Sequence, residues 1–123
     1  GWKPYSEMPS YIAASDVCIL PAQNHRIMEN IVPIKIIEYM AAKKPVIATK
    51  LPGLVKEFGY DNGVIYIDQP GETIFTVYKL KETGLLKQQG DIAQEAVKGN
   101  DWSVLVSEFK TIINNALGSE PVN

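Results

Sequence analysis

The chain has 123 residues, of which 46% are hydrophobic and 21% charged, with a net charge of -2 and a pI near 5.4. One domain of this length can bury about two thirds of its unfolded surface, so we expect a sizeable core. The acidic balance argues against nucleic acid as a partner, and no apolar run reaches the roughly 18 residues of a membrane span.

The first predicted elements are a helix and a strand. In SEMPSYIAAS, Ser6 can cap a short helix that carries Glu7 and Pro9 in its first turn. The apolar run DVCILP follows, and it suits a strand buried on both faces. Cys18 in this run is the single cysteine, and a reduced, buried thiol fits a cytoplasmic protein. Peripheral attachment to the cytoplasmic face of a membrane remains open.

A loop, a helix and a strand come next. Residues 22–32 have no clear periodicity and predict a loop. A helix is predicted from Pro33 through IKIIEYMAAK to Lys43 or Lys44, because proline is accepted at a first helical position. The run PVIAT then predicts a second strand.

The rest of the chain adds one strand and several helices. LPGLVKEFG predicts a turn and a short helix stopped by Gly59, and the turn DNG leads into the strand VIYID. Helical spacing covers residues 72–82, about 84–98 and 102–116. Asp101 is a credible cap for the last helix, and Trp102 is expected in the core.

The order of these elements predicts an α/β fold, a doubly wound parallel sheet with helices on both faces. Three strands make a narrow sheet, and the chain opens on a helix without a methionine before it. We therefore expect a fragment whose earlier strands are absent. Its final residues, GSEPVN, predict a frayed tail over 118–123.

The loop at 22–32 is the candidate site, since ligands of such sheets bind outside the carboxyl ends of the strands. Its length exceeds the usual two to about six residues, which is typical of functional or disordered loops. A helix beginning near Pro33 would offer unsatisfied amides and its dipole to a phosphate, with Lys35 adding a full charge. Glu38, one turn further on, could accept hydrogen bonds from a sugar diol.

Each candidate also has a simpler interpretation. Lys35 and Glu38 are three residues apart, so they could form a solvated pair worth about 0.2 to 0.5 kcal/mol. His25 and Arg26 in the loop could contact a donor or could merely be exposed. The sequence contains no Ser-His-Asp arrangement, CxxC pair or glycine-rich phosphate loop. We therefore assign no catalytic residue and no metal site.

Several of these stretches resemble a known family. GWKPYSEMPSYIAASDV, PIKIIEYMAAKKPVIAT and the late DW look like the C-terminal nucleotide-sugar domain of GT-B glycosyltransferases, specifically the retaining family 4 (glycosyl transferases group 1). The most specific part is similar to the family's P-x-K-x-x-E-Y-x-A-x-G-K-P-V-I block. The resemblance covers nearly the whole chain and implies that residues 1–117 are a partial, Rossmann-like C-terminal domain of the GT-B fold.

The resemblance also implies roles for particular residues. The family binds its nucleotide sugar between two Rossmann-like domains, and the glutamate of the block, here Glu38, contacts the ribose hydroxyls. The segment matching Trp2 and Lys3 supplies backbone contacts near the base. The backbone at the start of the helix would hold the donor sugar or diphosphate, at Ile31, Val32, Pro33 and Ile34.

Two positions depart from the family pattern. Many members carry a second glutamate eight residues before the ribose-binding one, where it touches the donor sugar. That position is Asn30 here, and Glu29 precedes it. Lys43 replaces the family's common glycine before KPV, so the helix end is expected to lack the usual left-handed glycine.

The implied function is the donor-binding part of a glycosyltransferase that uses a UDP- or GDP-linked sugar as substrate and no other cofactor. An N-terminal acceptor domain of the parent chain would be its missing partner, and the fragment alone is expected to be inactive. Two other classes stay open. One is a nucleotide-sugar epimerase of the same architecture. The other is a non-catalytic α/β interaction module, which would need an acidic cluster where DVCILPA offers only Asp16.

Overall fold

The computed structural model describes residues 1–23 and 25–118. Asn24 of the predicted loop and the predicted tail from residue 119 onward lie outside the described residues. Within the described part, three parallel strands form one sheet in the order β1-β2-β3. The three predicted strands are confirmed, with bounds β1 Cys18–Leu20, β2 Val46–Thr49 and β3 Val64–Ile67.

Helices precede, connect and follow the strands, as the sequence predicted. Their bounds in the described residues are α1 Met8–Ala14, α2 Ile34–Ala41, α3 Pro52–Phe58, α4 Thr73–Glu82, α5 Leu86–Ala96 and α6 Trp102–Leu117. Short 3-10 turns precede α1, α4 and α6, at Tyr5–Glu7, Pro70–Glu72 and Lys98–Asn100. None of the described helices is both long and apolar enough to cross a membrane.

Hydrophobic side chains pack on both faces of the sheet. On one face, the apolar residues of α2, α3 and α5 pack against β2 and β3, in a cluster that includes Ile36, Met40, Leu54, Ala93, Val97, Val46, Ala48 and Val64. On the other face, Leu80 of α4 packs with Ile47 and Ile67. The predicted doubly wound α/β fold with helices on both faces is confirmed.

The prediction that the first strand is buried on both faces is wrong. Ile19 pairs with Ile47 across the ladder, yet its side chain is 49% exposed. The reason is that β1 is the edge strand of the described sheet, while α4 covers Ile47 and Ile67. Full burial on both faces belongs to the central strand β2, all of whose residues are buried.

The start of α1 also differs from the prediction. Ser6 does not cap the helix, because it lies inside the 3-10 turn and the N-cap position is Glu7, which makes no side-chain capping bond. The amide of Glu7 donates to the carbonyl of Pro4 at 3.0 Å, so the chain is already turning before α1 begins. Pro9 lies in the first turn, as predicted.

Helix α2 begins after Pro33, its N-cap, and ends at Ala41, earlier than predicted. The cause is Lys43, which takes a left-handed conformation with φ of 59°. Its amide donates to Met40 O at 3.0 Å, and the amide of Lys44 donates to Tyr39 O at 3.1 Å. This is the Schellman pattern. The helix end therefore keeps the left-handed residue but uses lysine in place of glycine.

Lys44 joins the end of α2 to the end of α1. Its Nζ donates to the carbonyls of Ala13 at 2.8 Å and Ser15 at 2.7 Å. The last carbonyls of a helix lack partners within the helix, so a cation there satisfies them and complements the dipole. The contact fixes α1, and with it the segment before α1, beside α2.

Asp101 caps α6, as predicted, by accepting a hydrogen bond from the amide of Ser103 at 2.8 Å. The expectation that Trp102 lies in the core is wrong, because 72% of its surface is exposed. Helix α6 contains no buried residue, so its apolar side does not pack on the sheet. The large apolar residues exposed on it are Trp102, Val104, Leu105, Val106, Phe109, Ile112, Ile113 and Leu117.

Candidate functional site

A cavity of about 500 Å³ lies between the N-terminal segment, α1 and α2. Lys35 and Glu38 line it from α2, and Trp2, Tyr5 and Tyr11 contribute aromatic side chains from the N-terminal segment and α1. The volume falls in the range of about 300 to 1,000 Å³ that is usual for small-molecule sites. An aromatic wall beside one carboxylate and the ammonium groups of Lys3 and Lys35 suits a ligand with both a flat ring and polar groups.

Glu38 is held by one specific contact in this cavity. The hydroxyl of Tyr5 donates a hydrogen bond to Glu38 Oε1 at 3.0 Å, although 33 residues separate the two. Glu38 is half-buried, whereas Tyr5 is largely exposed. This hydrogen bond and the charge of the carboxylate raise the pKa of Tyr5. The hydroxyl thus remains a protonated donor at neutral pH.

Lys35 and Glu38 share one side of α2, as their spacing predicts, and both reach the cavity. They form no ion pair in the described part of the chain, where the salt bridges join Lys43 or Lys87 to Asp91 and Lys98 to Glu95. The two side chains of α2 therefore offer a cationic and an anionic group that do not neutralise each other by direct contact.

The cavity also has less polar lining residues. Cys18, Ile19 and Tyr39 are among them. Burial raises the pKa of the Cys18 thiol, against the opposing effects of the Ser15 hydroxyl and the Lys44 charge. Burial is also the main cause of a raised pKa at Tyr39. Both groups stay neutral at pH 7, so the charge in the cavity wall comes from other side chains.

The first turn of α2 presents backbone amides. Pro33 at the N-cap has no side chain that could accept a hydrogen bond, and the amide of Ile36 donates to Pro33 O at 3.1 Å. The amides of Ile34 and Lys35 have no acceptor among the described residues. The amide of Ile31 is engaged, because it donates to Met28 O at 3.2 Å. The backbone amides of Ile34 and Lys35 are therefore the hydrogen-bond donors that this helix start offers to an anion.

The loop between β1 and α2 is attached to the neighbouring strand and helix. The amide of Ala22 donates to the hydroxyl of Thr49 at 3.0 Å, and the amide of Gly53 donates to Glu29 O at 2.6 Å. A Cβ on Gly53 would lie 3.0 Å from Glu29 O and from the carbonyl carbon of Asn30. The loop thus rests on the first turn of α3 at a point where a side chain larger than that of glycine would have to displace it by a few tenths of an ångström.

The structure brings together some of the predicted residues. Glu38 and Lys35 share the first cavity, and Glu38, Val32 and Ile34 also line a second cavity of about 790 Å³ beside α6. The other predicted residues line neither cavity: His25, Arg26, Glu29, Asn30, Ile31 and Pro33. His25, Arg26 and Asn30 are exposed, and Glu29 is half-buried with its carbonyl on Gly53.

Tyr5 and Gly53 are two residues of this region that the sequence analysis did not indicate. Each acts through a contact with a residue distant in the chain, which a local pattern does not show. The aromatic positions Trp2, Tyr5 and Tyr11 before and within α1 were the available hint. No group of three or more His, Cys, Asp or Glu side chains able to hold a metal occurs in the described residues.

Comparison with known proteins identifies the family. The profile described as "Glycosyl transferases group 1" matches residues 1–98, which is most of the chain. The chain belongs to the glycosyl transferases group 1 family. The resemblance found on the block around Glu38 is thereby confirmed, and the α/β sheet agrees with the Rossmann-like domain that it implied.

One curated relative of this group 1 chain comes from Bacillus subtilis (strain 168). It is named "Putative teichuronic acid biosynthesis glycosyltransferase TuaH" and is 30% identical over 109 residues, which are 84% of the present chain. The chain spans about a quarter of that protein's length, since the match covers 26% of it. No solved structure matches the chain at a significant level.

Proposed function

We propose that this chain is the donor-binding part of a glycosyltransferase and that it binds a UDP- or GDP-linked sugar. The parent protein would transfer this sugar to a glycan, a lipid or another acceptor. The observation that carries the proposal is the position of Glu38. The resemblance of its block implies the family's ribose-binding glutamate, and its side chain lines the cavity of about 500 Å³ beside the aromatic residues.

Glu38 would recognise the ribose. A carboxylate accepts hydrogen bonds through both oxygens, and Oε2 has no partner among the described residues. Hydrogen bonds between a hydroxyl and a carboxylate are charge-assisted and stronger than neutral ones. Half-burial of the side chain strengthens them further, because water screens them less.

The base would lie against the aromatic side chains of the same cavity. Trp2, Tyr5 and Tyr11 provide ring surfaces there, and Lys3 Nζ lies 5.5 Å from the centre of the Tyr11 ring. Stacking of a base on an aromatic side chain contributes about 1 to 3 kcal/mol and tolerates different bases. This wall therefore fits either uracil or guanine.

The diphosphate would lie at the start of α2. The amides of Ile34 and Lys35 have no acceptor in the described part of the chain, and the positive end of the helix dipole points the same way. The Lys35 ammonium adds a full charge within the same turn. The donor sugar would continue toward the loop, where Glu29 and Asn30 lie and where His25 and Arg26 offer further polar contacts.

The isolated chain would bind the donor without transferring sugar. Transfer requires an acceptor held in line with the donor, and positioning of this kind accounts for a large part of enzymatic rate enhancement. An N-terminal acceptor domain of the parent protein is the partner we propose for this role. A cytoplasmic location, with or without peripheral membrane attachment, fits a donor of this kind.

The test is a titration of the isotope-labelled chain with UDP, GDP and their sugars, followed by amide chemical shifts. We expect weak binding with shifts in residues 2–5 and 34–38, and in the loop before α2 when the nucleotide carries its sugar. The absence of shifts at millimolar nucleotide, or shifts confined to other elements, would contradict the proposed site. A parallel assay with radiolabelled donor sugar should detect no transfer by this chain alone.

A further inference from the structure

Tyr5 occupies an unusual place in the cavity. It belongs to the 3-10 turn before α1, yet its hydroxyl is the described hydrogen-bond partner of the Glu38 carboxylate on α2. Tyr5 and Glu38 together also line the second cavity, so the pair stands between the two. The segment that carries Tyr5 is fixed beside α2 through the contact of Lys44 with the end of α1.

The bond restricts the carboxylate. An exposed or half-exposed glutamate samples several rotamers, and fixing it costs side-chain entropy when a ligand binds. Because the two oxygens of a carboxylate share one plane, a hydrogen bond to Oε1 also limits where Oε2 can lie. A carboxylate oriented before the ligand arrives binds with less entropic cost and with better geometry.

We propose that Tyr5 is a positioning residue that orients Glu38 toward the ribose hydroxyls of the nucleotide. This inference rests on the proposed function, because it assigns the mechanism of ribose selectivity within the same site. Tyr5 acts through Glu38, so removal of its hydroxyl reduces the preference for ribose over a sugar that lacks these hydroxyls. The affinity for the rest of the nucleotide stays the same.

The chain contains a matched control. Tyr11 also lines the cavity with an aromatic ring and a hydroxyl, and that hydroxyl donates to Glu7 at 3.4 Å. Tyr11→Phe therefore removes one phenolic oxygen from the same wall without touching Glu38. Tyr5→Phe keeps the ring of Tyr5 and removes only the bond to Oε1.

The experiment compares UDP with 2′,3′-dideoxyuridine diphosphate by calorimetric titration of the 123-residue chain and both variants, with GDP and its dideoxy analogue in parallel. We expect the original chain to prefer the ribose form and Tyr5→Phe to reduce this preference about three- to tenfold. Affinity of Tyr5→Phe for the dideoxy form should stay within about twofold of the original affinity. Tyr11→Phe alters the wall against which the base lies, so any change in affinity should be equal for the ribose and dideoxy forms, and the ratio between them should stay as in the original chain.

The outcomes separate the two ideas. A ribose preference that Tyr5→Phe leaves intact overturns the role of Tyr5 alone. Equal weakening of both nucleotides by Tyr5→Phe also overturns it, since Tyr5 would then be only part of the wall. Absence of ribose preference in the original chain, or of any binding, overturns the proposed function and this inference together.

A second measurement needs no nucleotide. Glu38→Gln removes the negative charge beside Tyr5, so the pKa of Tyr5, raised by Glu38, should fall toward its ordinary value. Titration of the tyrosine ring signals by NMR reports this pKa directly. An equal pKa of Tyr5 in the original chain and in Glu38→Gln would show that the bond is absent in solution and would overturn the inference.

Discussion

The amide of Gly53 lies 2.6 Å from the carbonyl oxygen of Glu29 and donates a hydrogen bond to it. This contact ties the loop before α2 to the first turn of α3. Glu29 lies in the loop between β1 and α2, and Gly53 lies at the start of the helix that follows β2. The position of the candidate phosphate site therefore also depends on where α3 begins.

Gly53→Ala should therefore destabilise the fold. Its Cβ would lie 3.0 Å from Glu29 O and Asn30 C, which requires the loop to move. Alanine in a helix is otherwise favoured over glycine by up to about 1 kcal/mol. A decrease of about 1 kcal/mol in the free energy of unfolding, measured in urea, would therefore show that the close contact outweighs this preference. Gly71→Ala is the control, because a Cβ there meets nothing within 4 Å. Equal stability of the two variants would contradict the prediction.

Glu38→Ala should weaken nucleotide binding by about 2 to 4 kcal/mol, since it removes a charged acceptor of two hydrogen bonds. Uridine and UDP should lose affinity in similar proportion, because the lost contact is to the ribose. Stability should change much less, because the partner of the carboxylate among the described residues is a largely exposed tyrosine. Calorimetry with Glu57→Ala, an exposed glutamate on α3, as control tests this. Unchanged nucleotide affinity in Glu38→Ala would contradict the proposed contact between Glu38 and the ribose.

Lys35→Ala should weaken the binding of UDP more than the binding of uridine. We expect UDP to lose about 1 kcal/mol of binding free energy and uridine to lose almost none, because the ammonium would contact only the diphosphate. Raising the salt concentration should shrink the difference, since Lys35 is exposed and its charge is screened. Lys56→Ala on α3 is the matched control. Equal losses for uridine and UDP would place Lys35 away from the phosphates.

Lys43→Gly should be more stable than Lys43→Ala. Lys43 has a φ of 59°, a conformation that costs a residue with a Cβ about 1 to 2 kcal/mol, so glycine relieves this strain. Glycine also has a larger conformational entropy in the unfolded state, which offsets part of the gain in stability. We expect a difference of about 0.5 to 1 kcal/mol between the two variants in chemical denaturation. Both variants lose the ion pair with Asp91, so their difference isolates the backbone. Greater stability of the alanine variant would refute this account.

Much of the fold could be predicted because local pattern and tertiary packing agree in its centre. The run PVIAT is apolar up to Thr49, and β2 is buried on both faces. Ile36 and Met40, four residues apart, form the buried side of α2, which leaves Lys35 and Glu38 together on another side. The spacing in this block therefore placed both candidate residues at one cavity.

The remaining features depend on contacts that no local pattern records. Tyr5 meets Glu38 across 33 residues of sequence, and Lys44 contributes a contact that holds α1 beside α2. Ile19 has the apolar character of a buried residue, but its exposure depends on how far α4 extends over the sheet. Lys43 adopts the left-handed geometry that glycine prefers, and the lysine itself gives no local signal of that geometry.

The exposure of α6 has a consequence for local unfolding. A helix of 16 residues without tertiary burial is marginal in water, and this one contains the β-branched residues Val104, Val106, Thr111, Ile112 and Ile113. Its hydrogen bonds should therefore open without unfolding the sheet, whereas the amides of β2 should open only with the whole domain. Hydrogen-deuterium exchange of the chain should show α6 losing protection many times faster than Val46–Thr49, and equal protection of the two would show that something covers the helix.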